Sequence, residues 1–269
     1  GFDDEDMEID ALLFSGHKTY APGSPGVIIA RKSFMEAIEP EEVGGGMVDK
    51  VFPDNYFVSK KFPDREEAGT PNILGAITLG SAVHVLDSIG MDVILDKDIS
   101  LVNYTMDKML KVDDVYIYGD TDTAKCPRAG TISFNIKGMD HGLVAAILND
   151  YYNIAVRNEC FCAHPYVEKM LHVSHKNELD ALDCIDNNLV WKVEPWMGMI
   201  RASFGLYSTK ADIDALMNAV KEIIKDKENF SNQYTLNLEG EYIHKEFHFS
   251  SKDFFSLTGT INKDISSKK

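Results

Sequence analysis

The chain has 269 residues, 44% of them apolar and 26% charged, enough for one large domain or two smaller ones with real cores. Its net charge of −16 speaks against nucleic acid or an anionic membrane as partner, because such surfaces would repel it. No run of 18 or more apolar residues occurs, so no membrane-spanning helix is expected.

Residues 1–8 form an acidic lead-in without the basic n-region of an export signal. With only four cysteines, too few for a disulfide framework, a reducing cytoplasm is the expected location. The chain does not begin with Met and enters a strand within a few residues, which reads as a fragment. Ile9 to Phe14 reads as a buried strand, Ala21 to Gly26 as a Gly/Pro turn, and Val27 to Ala30 as the next strand. Residues 36–46 begin polar and end in three glycines, which predicts a tight loop. Residues 47–69 read as irregular or short strands. Thr70 is placed as N-cap and Pro71 as first residue of an apolar helix ending near Gly90, and a second helix covers 92–111.

Further on, Val115 to Tyr118 and Thr131 to Ile136 read as strands, and Asp140 caps a helix through Tyr152. Ile154 to Arg157 reads as a short strand, residues 158–166 as a loop, and Met199 to Phe204 as a strand. Thr209 opens a last helix, with Asp212 at capping-box spacing. Residues 226–269 read as an appended polar tail with a hairpin at Tyr234 to Leu238 and a frayed end. Strands alternating with helices predict an α/β architecture. The organisation expected is 1–111, 112–225 and the tail 226–269.

Four stretches carry the chemistry. In Ser15-Gly16-His17-Lys18, a lysine at a strand end beside a serine and a histidine suits a Schiff base to pyridoxal phosphate. Such an amine must be held rigidly and partly desolvated to act as a nucleophile. An exposed strand-end lysine is the competing reading. The others are Glu67-Ala-Gly-Thr-Pro-Asn72, Ile154-Ala-Val-Arg157 followed by Cys162-Ala-His-Pro165, and Arg201-Ala-Ser-Phe-Gly-Leu-Tyr207. Together, in this order, they resemble the class V aminotransferase superfamily of fold-type I pyridoxal-phosphate enzymes, and within it the cysteine desulfurase and selenocysteine lyase branch. The resemblance covers roughly residues 7–224.

The resemblance implies the C-terminal part of a fold-type I enzyme: a remnant of the large cofactor domain plus the complete small domain. It makes Lys18 the lysine that bonds the cofactor and later moves the Cα proton, with Ser15 and His17 on the cofactor phosphate. Thr70 would reach the phosphate of a neighbouring subunit's cofactor, which implies a homodimer with shared sites; a plain helix cap is compatible with that role. Arg201 would clamp the substrate carboxylate, against the alternative of a salt bridge within the sheet. Arg157 would support the substrate site or only the loop. Cys162 would attack the sulfur of cysteine and become a persulfide, or else is a small buried cysteine. Cys160 is an alternative nucleophile or resolving partner. The family commonly has a glycine and two histidines where Glu159, Cys160 and Phe161 stand.

Cys160, Cys162, His164, His172 and His175 could be grouped as metal ligands, but C-x-C-x-H departs from structural zinc spacing, and no metal is expected. The acidic partner of the pyridine nitrogen, the ring stacked on the cofactor and the phosphate loop lie upstream of the lysine in this family. The isolated chain is therefore expected to bind cofactor poorly and to be inactive. The function implied is removal of sulfur from L-cysteine, giving alanine and an enzyme persulfide, with a sulfur-acceptor protein as possible partner. Another class V reaction (amino-group transfer, epimerisation or a different lyase step) and a non-catalytic dimerisation module are the alternatives.

Overall fold

A computed structural model describes residues 9–172 and 198–247. The chain separates into two compact units, Gly1–Val93 and Ile94–Lys269.

In the first unit, β1 (Ala11–Ser15) and β2 (Gly26–Ala30) pair antiparallel, Ala11 opposite Ala30 and Ser15 opposite Gly26. A 3-10 turn, Gly16–Lys18, follows β1 directly. The short helix α1 (Lys32–Glu36) follows β2 and ends where the segment expected to form a tight loop, 36–46, begins. A second ribbon pairs β3 (Val48–Val51) with β4 (Tyr56–Val58), and α2 spans Ile73–Ile89. The expectation that β1 is buried is corrected. Among the described residues its sheet has two strands, and Leu13 and Ile28 are 65% and 62% exposed.

The cap of α2 is also corrected. Asn72, not Thr70, is the N-cap: its Oδ1 accepts from the Gly75 amide at 3.0 Å. Its Nδ2 donates to the Gly23 carbonyl at 2.7 Å, so one side chain ties the helix start to the loop behind the Lys18 turn. Thr70 and Pro71 both precede the helix.

The second unit is built on β6 (Thr131–Ile136), which lies between β5 (Val115–Ile117) and β7 (Ile200–Ser203), antiparallel to both. Its sequence, T-I-S-F-N-I, alternates as a half-buried strand should. Ile132, Phe134 and Ile136 are buried. Phe134 sits opposite both Ile117 and Ile200. Against this face pack α3 (Met91–Met109) through Leu101, Val102, Met106 and Met109, α4 (His141–Tyr152) through Val144, Ile147 and Leu148, and α6 (Lys210–Lys225) through Ile213, Met217 and Val220. Most of α3 therefore belongs to this unit, which begins at Ile94.

The caps of α4 and α6 are those read from sequence. Asp140 Oδ1 accepts from the Gly142 and Leu143 amides at 2.7 and 3.1 Å. Thr209 and Asp212 close a capping box, and those hydrogen bonds hold the Asp212 carboxyl below its usual range. The strand expected at 154–157 narrows to one bridge, Arg157 with Arg201. The loop expected at 158–166 ends early, where α5 (His164–Leu171) starts with Pro165 in its first turn.

Beyond α6, α7 (Lys227–Asn232) leads into a hairpin of β8 (Tyr234–Leu236) and β9 (Tyr242–His244). This hairpin packs on α4: Tyr234 is buried and its hydroxyl donates to Asp150 at 2.9 Å, while Tyr151 Oη lies 2.8 Å from His244 Nε2.

Replacing Phe134 by Ala should cost about 3–5 kcal/mol, because a fully buried ring leaves a cavity. Leu13→Ala should change the stability of this chain by less than about 1 kcal/mol. Urea denaturation of the two variants checks the contrast; equal losses would contradict the burial described.

Candidate active site

The site residues fall in two groups, one in each unit. In the first, β1 delivers Ser15 half-buried at its end, and the 3-10 turn carries His17 and Lys18 exposed. The turn is fixed at Gly16, whose amide donates to the Pro25 carbonyl at 3.2 Å while Thr19 donates back to the Gly16 carbonyl at 2.8 Å. Gly16 has no room for a side chain. A Cβ there would lie 2.3 Å from Ser24 Oγ, 2.9 Å from the Pro25 carbonyl oxygen and 3.0 Å from Leu79 Cδ2. Ser24 Oγ is buried with no hydrogen-bond partner. Thr70 is exposed, two residues before the Asn72 cap.

The donor set fits pyridoxal phosphate in kind: a primary amine for the aldehyde, and a hydroxyl and an imidazole for the phosphate. The orphaned Ser24 hydroxyl beside the Gly16 turn is a further donor close to that set.

In the second unit the structure brings Arg157, Arg201 and Cys162 together. Two backbone hydrogen bonds join the arginines, Arg157 N to Arg201 O at 3.1 Å and Arg201 N to Arg157 O at 2.6 Å. The Arg157 guanidinium lies 3.9 Å from Cys162 Sγ. Arg201 Nε donates to Ser203 Oγ at 3.2 Å, and its guanidinium sits over the Phe161 ring, 5.0 Å from the centroid. The Arg201 contacts described are thus a hydroxyl and a ring face, not a carboxylate.

The loop between Arg157 and α5 takes left-handed backbone at three non-glycine residues, Glu159, Phe161 and Cys162. Such conformations are costly in ordinary sequence and collect at functional loops. Cys162 is exposed, whereas Cys160 is buried with Val167 and Met199. Exposure removes the reading of Cys162 as a small buried cysteine; the buried one is Cys160.

Three further residues position these side chains, one in the first unit and two in the second. Phe161 supplies the ring under Arg201, and Asn72 anchors the loop behind the Lys18 turn. Asn135 holds the start of β7, its Nδ2 donating to the Gly198 carbonyl at 3.0 Å and its Oδ1 accepting from the Ile200 amide at 3.2 Å. Asn72 was visible in sequence as a cap-forming residue directly before an apolar run; Asn135 and Phe161 act through tertiary contacts that spacing does not encode. Burial pushes the phenol of Tyr118, which accepts from Asn135 Nδ2 at 3.0 Å, above its usual range. Among the described residues no group of His, Cys, Asp and Glu is arranged to hold a metal ion, and His175 lies outside them.

The aminotransferase class-V family model matches residues 2–216. The chain belongs to the aminotransferase class-V family. Members of this family use pyridoxal phosphate. Among curated relatives, this class-V chain is 35% identical over 233 residues to a probable cysteine desulfurase of Halalkalibacterium halodurans, covering 86% of this chain and 49% of the relative. A probable cysteine desulfurase of Staphylococcus aureus is 34% identical over 239 residues, covering 86% and 48%.

Among solved structures, a cysteine desulfurase from Escherichia coli in an S-sulfonic acid form superimposes with a TM-score of 0.65 at 29% identity, covering 81% of this chain and 46% of its own. The apo cysteine desulfurase of Thermococcus onnurineus gives 0.63 at 32% identity, covering 80% and 47%. The class-V chain therefore has the α/β fold of part of a fold-type I enzyme, and it spans about half the length of the relatives it matches.

Gly16→Ala should destabilise the first unit by about 1–3 kcal/mol, because the Pro25 backbone as well as the Ser24 side chain blocks the new methyl; an unchanged denaturation midpoint would contradict the packing of the turn. A thiol-specific reagent followed by peptide mapping should label Cys126 and Cys162 well before Cys160. Equal labelling of Cys160 would contradict its burial.

Proposed function

We propose that this chain carries the lysine, the carboxylate clamp and the sulfur-accepting cysteine of a pyridoxal-phosphate-dependent cysteine desulfurase. The observation that carries the reading is the convergence of Arg157, Arg201 and exposed Cys162 on one loop-and-strand edge. Relatives described as cysteine desulfurases support it.

In this reading Lys18 Nζ would hold the cofactor, with Ser15 and His17 on its phosphate. When bound, pyridoxal phosphate acts as an electron sink for the substrate's Cα. Lys18 Nζ moves the Cα proton, as a positioned amine can. The Arg201 guanidinium receives the substrate carboxylate in two parallel hydrogen bonds, which fix orientation as well as charge. Stacking on Phe161 holds the plane of that guanidinium. The Cys162 thiolate accepts the substrate sulfur, and Arg157, through its backbone pairing with Arg201 and its contact with Cys162 Sγ, keeps clamp and acceptor in register. The dimer with Thr70 at a neighbouring subunit's cofactor, the protein sulfur acceptor and the cytoplasmic setting belong to the same proposal.

In a protein that supplies the whole cofactor domain, Cys162→Ala should abolish sulfide and alanine formation from L-cysteine while leaving cofactor absorbance intact. Unchanged turnover in that variant would instead favour another class V reaction. Arg201→Lys should raise KM by about tenfold or more, because the two-point grip is lost; an unaltered KM would remove Arg201 from the substrate site.

Residues 1–269 alone should bind pyridoxal phosphate weakly, since they span about half of their relatives. Borohydride reduction yielding a tight adduct on Lys18, with turnover of cysteine, would refute this.

A further inference from the structure

His141 is a buried histidine that takes no part in the chemistry above. It is the first residue of α4 and is 4% exposed. Its ring lies directly on Gly198, two residues before β7. A Cβ on Gly198 would overlap His141 Nε2 and lie 2.5 Å from Cδ2 and 2.6 Å from Cε1, so the close approach of ring to backbone requires glycine there. Asn158 Nδ2 donates to the ring's Nδ1 at 3.4 Å. One imidazole thus bridges the residue that follows Arg157 and the entry to the strand that carries Arg201.

The bridge stands at the strained end of the cysteine loop. Glu159, next in the chain, has a φ of 74°, in the left-handed region that favours glycine, and Phe161 and Cys162 follow in the same region. The Glu159 side chain is exposed, so the cost of this backbone is met by contacts elsewhere. Asn158 and Glu159 also border a cavity of about 470 Å³ between α4 and the β8–β9 hairpin, which leaves the loop room to move away on that side. The loop is drawn toward β7 by the Met199 amide, which donates to the Glu159 carbonyl at 3.1 Å, and by His141 acting on Asn158. The anchor for both is firm, because Asn135 Nδ2 fixes the Gly198 carbonyl at 3.0 Å.

We propose that His141 is a positioning residue for sulfur transfer: by bracing Asn158 against Gly198 it keeps Glu159 in left-handed backbone and so holds Cys162 beside Arg157. The proposal rests on the desulfurase reading of Cys162. His141 acts through Asn158 and Glu159, not on the substrate. The Arg201 backbone is placed separately, by the pairing of β7 with β6, where it stands opposite Ser133. Loss of the brace therefore disturbs the sulfur acceptor more than the carboxylate clamp. Glycine adopts left-handed backbone at no steric cost, so a glycine at position 159 should make the brace dispensable.

Amide hydrogen exchange on residues 1–269 reads the loop without cofactor or substrate. The reporters are the Met199 and Ala163 amides, which donate to the Glu159 and Cys160 carbonyls. His141→Ala should speed their exchange by about tenfold, while the Ile147 and Leu148 amides of α4 keep native protection. Asn158 is half-buried, and Asn158→Ala, which cuts the other end of the brace without touching the core, should give the same pattern. In a Glu159→Gly background, His141→Ala should change exchange by less than about threefold. In a protein that supplies the whole cofactor domain, His141→Ala should lower kcat for alanine formation from L-cysteine by about tenfold with KM raised less than about threefold, and Glu159→Gly should restore kcat. Native exchange at both reporters in Asn158→Ala overturns the proposal, as does a tenfold effect of His141→Ala that persists beside Glu159→Gly. Absence of alanine formation by the native protein, with the exchange pattern as expected, removes only the desulfurase reading.

Discussion

Between Arg157 and Arg201, two backbone hydrogen bonds of 3.1 and 2.6 Å bring together segments that are far apart in sequence. On one side is the end of the connection that leaves α4; on the other is β7, buried through Ile200 and Ala202 in the core of its unit. The cysteine loop begins at Arg157, so its geometry is inherited from a packed sheet. Were this pairing absent, Cys162 would be an exposed thiol on a mobile turn, and Arg201 would lose the loop that places Phe161 beneath it. Glu159 reinforces the arrangement by accepting the Met199 amide at 3.1 Å. The cost of three left-handed residues in the loop is thus borne by a rigid neighbour, as strain at functional loops requires.

The first unit follows a different logic. Its elements leave apolar side chains exposed, including Leu13 and Ile28 on the first ribbon and Ile77 on α2. Order at the Lys18 turn comes from local steric and polar constraints: the tight space at Gly16 and the reach of Asn72 to Gly23. A site built in this way depends on backbone hydrogen bonds more than on a hydrophobic core, and substitutions at small residues there are felt at the lysine.

Where a local rule had no competitor, the sequence was enough to place the element. Asp140 before an apolar helix, Thr209 three residues before Asp212, and the alternation of Thr131 to Ile136 each led to the element observed. The cap of α2 was misplaced because Thr70, Pro71 and Asn72 all favour a helix start, and only the tertiary bond from Asn72 to Gly23 decides among them. The burial of β1 was misjudged because an apolar run does not say what covers it. The strand at 154–157 shrank to a single bridge, since pairing needs a partner in register and β7 offers one at Arg201. For the site, the types and order of Lys18, Cys162 and Arg201 were legible, but the stacking of Phe161 and the burial of Cys160 beside exposed Cys162 arise from packing that the linear spacing does not encode.

The central claim is that the thiol held beside Arg157 takes sulfur from an amino-acid substrate. The most direct measurement incubates a protein with the complete cofactor domain, loaded with pyridoxal phosphate, with L-cysteine, traps thiols by alkylation and locates any added sulfur by mass spectrometry. One extra sulfur atom on the Cys162 peptide, formed in step with alanine, is the result predicted. Alanine formed while Cys162 stays unmodified throughout the first turnover would contradict the account.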